Sequence, residues 1–273
     1  MRTFIFAQLL AAIFAPRLAG QGCEGVRAGR AAAIGGAVVA GQAVAAAFHP
    51  GTWWPGAPGE FSWRWGGSPA AGQDVLIHAA FSYQISQGAA LAWDWACAPR
   101  VLAGWLGAAT AVAAALPKEI VDGFHGGFSG TDLAWSAAGA VLPAVHRRWP
   151  ASRAVALKVS YRPSREYLDR TGSEPALASD YAGQRYYLSV NPARGGGPRW
   201  WPKWLGVGLG HSTTEWVTDW PGRHVWFATL DLDLRGLPIR ARWWPRAAAV
   251  LDQIHFPAPG VRLRDGRLAV GAF

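Results

Sequence analysis

Long apolar segments with few polar positions dominate the first half of the chain. Ala31–Phe48 has one polar side chain, Gln42, and Val101–Leu116 has no charged residue. Segments of this length predict helices near the lower limit for crossing a membrane. Gln73–Ala96 predicts a further helix, and Asp132–His146 predicts a fourth after a glycine-rich turn. This half therefore predicts a bundle of three to four apolar helices.

After Pro150 the pattern changes to alternating apolar and polar positions, which predicts short antiparallel strands. A short helix is expected near Ala247–Ile254. The clearest strand alternates strictly near its end, and Asp231 and Asp233 are expected on an outward face. The fold class predicted is therefore α+β, with a small antiparallel β-rich region. The predicted strands are Ala154–Tyr161, Tyr186–Val190, Leu205–Leu209, Val225–Leu234 and Leu268–Phe273.

Three regions are predicted along the chain. Residues 1–22 have the features of a signal peptide, because Arg2 precedes the apolar run Thr3–Ala15. Residues 23–150 form the helical membrane-associated bundle, and residues 151–273 form the β-rich region. Cys23 allows a lipoprotein interpretation, although the residues before it depart from the usual lipidation pattern. A disulfide between Cys23 and Cys97 is also allowed in an oxidising compartment.

Composition favours a membrane surface as the partner. The chain is 51% hydrophobic and only 16% charged, with 17 Trp and a net charge of +9. Trp is suited to the boundary between hydrocarbon and water, and basic residues are attracted to anionic headgroups. The tripeptide Trp-Trp-Pro occurs three times, from Trp53, Trp200 and Trp243. We expect membrane lipid and an envelope protein as partners, and no nucleic acid.

The candidate site is a group of ionisable residues placed beside apolar segments. Asp74 and His78 lie one helical turn apart, and Tyr83 follows on the same predicted helix. The third helix is predicted from Arg100 towards Val121, and Pro117 should kink it just before Lys118 and Glu119. A glycine-rich turn is predicted to begin at Asp122-Gly123, and Ser129 or Thr131 should cap the fourth helix, whose first turn contains Asp132. Charge in such places requires pairing, hydration or a function.

Three interpretations of this site are open. A divalent metal would be bound by the mixed nitrogen and oxygen ligands of Asp74, His78, Glu119, Asp122 and Asp132. An acid–base enzyme would use His78, Glu119 and Asp122 on a lipid-linked substrate. A structural network would instead fix the register of the helices through hydrogen bonds.

The motifs resemble those of exported proteins described as predicted periplasmic lipoproteins of unknown function. Asp74/His78, the turn from Lys118 to Gly123 and the segment Phe128–Asp132 carry the similarity in the helical half. The segments Asp180–Ser189, Pro202–Leu205 and Phe256–Pro259 continue it in the same order. Val75 and Ser136 depart from the residues that this family often has. The helical half is also distantly similar to VanZ-like membrane proteins.

This resemblance implies location in the bacterial cell envelope and no settled reaction. The expected function is therefore that of a non-catalytic, membrane-associated envelope protein that binds lipid or a partner protein. The alternative is a metal-assisted or acid–base hydrolase or transferase acting on a lipid-linked substrate.

Overall fold

A computed structural model describes Cys23 and residues 25–48, 56–66, 70–164, 168, 180–214 and 222–273. The predicted signal peptide and Trp53-Trp54-Pro55 lie outside the described residues. The described chain divides into two compact units. The helical unit takes its residues from 23–66 and 81–148, and the sheet unit takes its residues from 70–80 and 149–273.

The helical unit contains most of the four long helices, which confirms the helical half of the predicted α+β fold. The helices are α1 (Ala28–Phe48), α2 (Gln73–Trp95), α3 (Arg100–His125) and α4 (Gly130–Arg148). Residues 81–95 of α2 belong to this unit, and residues 73–80 belong to the sheet unit. Two short parallel strands, β1 (Trp63–Arg64) and β2 (Phe128–Ser129), complete the helical unit.

Small residues allow the helices to pack closely. Ala108, Ala111 and Ala140 form a buried cluster between α3 and α4. A Cβ at Gly107 would collide with the backbone of Ala90, so only glycine permits this approach of α2 to α3. Ser86 donates a hydrogen bond of 2.7 Å to the carbonyl of Ala140. A buried hydrogen bond between α2 and α4 thus supplements the apolar contacts of the helices.

α3 continues further than the sequence predicts. The helix runs through Pro117 and through Asp122-Gly123, which we expected to begin the turn, and ends at His125. The carbonyl of Asp122 accepts hydrogen bonds from the N–H groups of Gly126 and Gly127, and Gly127 adopts a φ of 105°. The turn therefore starts at Gly126, and the positive φ that glycine permits is found at the next residue, Gly127.

Within the described residues, α3 is the helix whose length and composition would allow it to cross a membrane. Within the most apolar 18-residue stretch of this helix, only 28% is buried inside the protein. Core helices of soluble proteins share these features, so they do not by themselves place α3 in a bilayer. At the start of α1, a disulfide joins Cys23 to Cys97, as the sequence allowed.

The sheet unit contains a six-stranded antiparallel sheet in which neighbours along the chain are neighbours in the sheet. All five predicted strands and the short helix are present, with ends shifted by a few residues. The sequence missed one strand, β7, because its Arg residues and Pro obscure the alternation. The elements are β3 (Val155–Tyr161), β4 (Gln184–Val190), β5 (Leu205–Thr213), β6 (His224–Leu232), the helix α5 (Trp244–Leu251), β7 (Pro259–Arg264) and β8 (Arg267–Ala272).

One face of this sheet exposes a row of apolar side chains. Direct cross-strand partners share a face, and the row Leu157, Leu188, Leu209, Ala228, Val261 and Val270 crosses all six strands. Most of this row is exposed, and Val270 reaches 87%. The opposite face carries Lys158, Ser189, Thr229 and Asp231, all buried. One face of the sheet therefore exposes apolar side chains, and the other buries polar side chains together with the cluster of Tyr187, Val225 and Phe227.

The first turns of α2 cover one end of the apolar face. Leu76, Ile77 and Ala80 pack against Val159 and Tyr186. Gln73 is fully buried and donates a hydrogen bond of 2.9 Å to the carbonyl of Gln184. These contacts fix residues 73–80 of α2 on β3 and β4, and the apolar rows of the later strands are exposed.

Candidate functional site

Several of the predicted site residues meet in the helical unit, at the end of α3 and the start of α4. Lys118 Nζ lies 2.6 Å from Asp122 Oδ2, one turn along the helix, and 3.5 Å from Glu119 Oε1. Glu119 is fully buried, whereas Lys118 is partly exposed. The lysine therefore bridges a solvent-accessible carboxylate and a buried one.

Glu119 has a strongly altered acidity in this environment. Burial raises its pKa from 4.5 to about 7, the Lys118 charge opposes the rise, and Asp132 and Asp122 add to it. A carboxyl group with this pKa exchanges its proton near neutral pH, as a general acid or base must. Glu119 is thus the group in this cluster that is able to hold or release a proton near neutral pH.

Ser129 has the capping role that its position predicts. Its Oγ accepts a hydrogen bond of 3.2 Å from the backbone N–H of Asp132, at the start of α4. Asp132 is buried and lies 3.5 Å from Nη2 of Arg64, in β1. The sequence did not single out Arg64. Its pairing with Asp132 depends on the β1–β2 contact, which is not apparent from the sequence.

The remaining predicted residues belong to α2. Asp74, in the sheet unit, accepts a hydrogen bond of 3.0 Å from the hydroxyl of Tyr181, and His78 is half-buried one turn further along α2. Tyr83 is buried in the helical unit, edge-on to His146 at 6.1 Å between ring centres. The five predicted metal ligands belong to both units, so the metal interpretation stays a prediction.

A second ionic network lies in the sheet unit, and the sequence did not predict it. Lys158 is 1% exposed and its Nζ lies 2.7 Å from Asp231 and 2.9 Å from Asp252. Arg235 Nη2 lies 2.7 Å from the other oxygen of Asp252. Further hydrogen bonds reach Asp231 from Ser189 Oγ and His255 Nδ1. The buried charges are therefore mutually paired, as burial requires.

The Ser189–Asp231–His255 group does not have the geometry of a nucleophilic triad. Ser189 bonds to the carboxylate of Asp231 and not to the imidazole. His255 Nε2 faces the carbonyl of Phe273 at 3.2 Å, and the ring stacks on Tyr187 at 3.7 Å between centres. The imidazole is also 1% exposed. It has no approach for a substrate, and we assign this network to the architecture of the sheet.

The expected outward position of Asp231 and Asp233 is wrong. The predicted period of two is correct, but both carboxylates are buried, whereas the preceding apolar residue Leu230 is exposed and the intervening Leu232 is partly exposed. Asp233 accepts from Arg194 Nη2 at 2.8 Å and from Asn191 Nδ2 at 2.7 Å. Alternation identifies two faces, but the partners that stabilise the buried carboxylates lie some forty residues away along the chain.

Two histidines that carried no prediction form a contact pair. His211 is buried, with Nδ1 2.9 Å from Gln73 Oε1 and Nε2 2.9 Å from Nδ1 of the exposed His224. Burial, together with the neighbouring His224, lowers the pKa of His211 from 6.5 to about 4. His211 is therefore neutral at physiological pH and anchors the first turn of α2 to the sheet through Gln73.

Comparison of the chain with protein-family models, with curated protein sequences and with solved structures finds no match.

Proposed function

We propose that the protein is a non-catalytic, membrane-associated protein of the cell envelope that binds lipid through the apolar face of its sheet. The observation that carries the proposal is this exposed apolar face. Nine of its side chains are between 40 and 87% exposed. A contiguous apolar patch of this kind marks an interaction surface. The nine residues are Leu188, Val207, Leu209, Trp226, Leu230, Val261, Leu263, Leu268 and Val270.

Charge favours an anionic lipid surface over an apolar protein partner. The chain has a net charge of +9. Arg264 and Arg267 are exposed in the hairpin that joins β7 to β8, next to Leu263 and Leu268 along the chain but on the opposite face of the sheet, so their side chains lie at the edge of the apolar face. Basic residues beside an apolar surface are attracted to anionic headgroups while the apolar side chains enter the interface. This complementarity supports lipid as the occupant of the face.

The energy available is adequate for reversible attachment. Transferring the exposed half of one Leu or Val from water provides on the order of 1 kcal/mol. The nine exposed side chains therefore supply at most roughly 9 kcal/mol, which corresponds to micromolar binding before any losses. Because the Cys23 sulfur is in a disulfide, we propose attachment by the sheet face and not by a thioether-linked lipid. The disulfide also supports an oxidising compartment.

The test is co-sedimentation of the full chain with vesicles of phosphatidylcholine, with and without phosphatidylglycerol. A Leu209→Asp/Val270→Asp variant should lose sedimentation. Ile239→Asp is the matched control, because Ile239 is 43% exposed in the same unit but outside the strands. Retained sedimentation of the double variant would refute the proposal. So would a wild-type dimer that the same variant converts to a monomer, since the face would then be a protein interface.

A second candidate function is favoured by the raised pKa of Glu119. A carboxyl group that titrates near neutral pH beside Lys118 and Asp122 is suited to acid–base chemistry, with or without a divalent metal. Native mass spectrometry after incubation with Zn²⁺ or Mn²⁺ tests the metal form. A bound ion that is lost in Asp122→Ala would support an enzyme. Retained lipid without metal in both proteins would support the binding function.

A further inference from the structure

The sheet unit contains a cleft whose lining is strongly basic. The cleft has a volume of about 320 Å³ and is formed by the short 3₁₀ helices around β3–β6. Four of its lining residues are cationic, namely Arg153, Arg194, Lys203 and Arg235. The face that we propose for lipid binding is a separate surface of the same sheet.

Two of these cations are held in place by buried carboxylates. Arg194 Nη2 lies 2.8 Å from Asp233 Oδ1, and Arg235 Nη2 lies 2.7 Å from Asp252 Oδ2. Both aspartates are at most 3% exposed. Burial alone would raise the pKa of Asp233, but hydrogen bonding and the charges of Arg194 and Arg235 lower it. Asp233 therefore stays ionised, and the short contacts to Asp233 and Asp252 fix the two guanidinium groups.

Lys203 is positioned through its backbone. Its carbonyl accepts a hydrogen bond of 2.8 Å from Asn191 Nδ2, and the same amide group donates to Asp233. Gly236 packs directly on the Lys203 carbonyl, where any Cβ would collide with it. The loop that carries Lys203 is therefore anchored beside Arg235, and the cleft is formed before any ligand arrives.

The lining of the cleft carries positive charge, since four of the seven described residues that form it are cationic and none of those seven is acidic. An anion is attracted to such a lining, and arginine side chains bind the oxygens of phosphate in paired hydrogen bonds.

We propose that this cleft binds a phosphate group. Two kinds of ligand carry such a group, namely a free phosphate compound and the headgroup of a lipid. The exposed Trp149 and Trp204 adjoin the cleft residues Pro150 and Lys203 along the chain, and Trp is favoured at a headgroup interface. The inference goes beyond the proposed function, because binding of a free phosphate group needs no membrane.

The test uses the full chain and two probes at constant ionic strength. Inorganic phosphate is titrated in a calorimeter, and vesicles of phosphatidylcholine with phosphatidic acid are used for co-sedimentation. The test variant is Arg153→Ala/Lys203→Ala, which spares the arginines that hold Asp233 and Asp252. Arg267→Ala is the control, because Arg267 is exposed on β8 and does not line the cleft.

We expect the test variant to lose at least about tenfold in affinity while the control stays within about twofold, as removal of charge-assisted hydrogen bonds predicts. Loss in the phosphate titration identifies a free phosphate compound. Loss confined to phosphatidic acid vesicles identifies a lipid headgroup. Absence of binding to both probes, or equal binding by wild type and test variant, overturns the proposal. Leu209→Asp/Val270→Asp should retain phosphate binding, which separates this inference from the membrane proposal.

Discussion

Replacement of Lys158 by Met tests whether the buried ionic network stabilises the sheet unit. The lysine is 1% exposed and lies within 2.9 Å of both Asp231 and Asp252. Met keeps most of the apolar stem and removes the charge. Two buried carboxylates would then lose a cation, and the wild-type fold offers little room for water to replace it.

The expected loss follows from the contacts that remain. Removing one partner from a buried ion pair destabilises a protein by about 3–5 kcal/mol. Asp252 keeps Arg235, and Asp231 keeps hydrogen bonds from Ser189 and His255. The effects on the two carboxylates therefore do not add in full. We expect Lys158→Met to lower the free energy of unfolding by about 3–5 kcal/mol at pH 7.

The dependence of this loss on pH provides a second check. Burial favours protonation of Asp231, but His255, Lys158 and Ser189 reverse this and lower its pKa below 3.8. A carboxyl group with a lowered pKa stabilises the fold above its unfolded pKa, and the contribution is lost as the pH falls through the folded value. The difference between wild type and Lys158→Met should therefore shrink below about pH 4.

Urea unfolding followed by Trp fluorescence measures both effects. Lys203→Met is the matched control, because Lys203 is exposed and should change stability by no more than about 0.5 kcal/mol. The Lys158→Met/Asp231→Asn double variant should lose less than the sum of the two single changes. A Lys158→Met protein within about 1 kcal/mol of wild type at pH 7 would refute the reasoning.

Three further predictions concern other parts of the chain. Because burial raises the pKa of Glu119 to about 7, its contribution to stability falls as the pH rises from 4.5 to 7. The melting temperature of Glu119→Gln should therefore vary less over this range than that of the wild type. A variant whose melting temperature varies as much as that of the wild type would contradict this. Because the pKa of His211 is lowered to about 4, stability should fall as the pH drops from 6.5 towards 4, and melts of His211→Gln should show a shallower acid loss. Cys97→Ser removes the disulfide and should lower the free energy of unfolding, measured in urea, by about 2–4 kcal/mol. Addition of a reductant should make the unfolding free energies of wild type and variant equal.

The candidate site was partly predictable from local sequence. Lys118, Glu119 and Asp122 lie on consecutive turns of one helix, and Ser129 precedes Asp132 by the spacing of a helix cap. Helical geometry alone brings such neighbours together. The cleft of basic residues was not predictable, because Arg153, Lys203 and Arg235 are brought together by long-range strand pairing.

Local pattern determined where the helices and most strands lie, since periods of 3.6 and 2 follow from backbone geometry. The alternation in β6 also determined that its two faces differ. Which face is buried was decided by the tertiary structure alone. Lys158 pairs with Asp231 and Asp252, far away along the chain, and this satisfied network allows polar side chains to occupy the interior. The apolar residues of the same strands are consequently left on the surface, where we expect lipid to cover them.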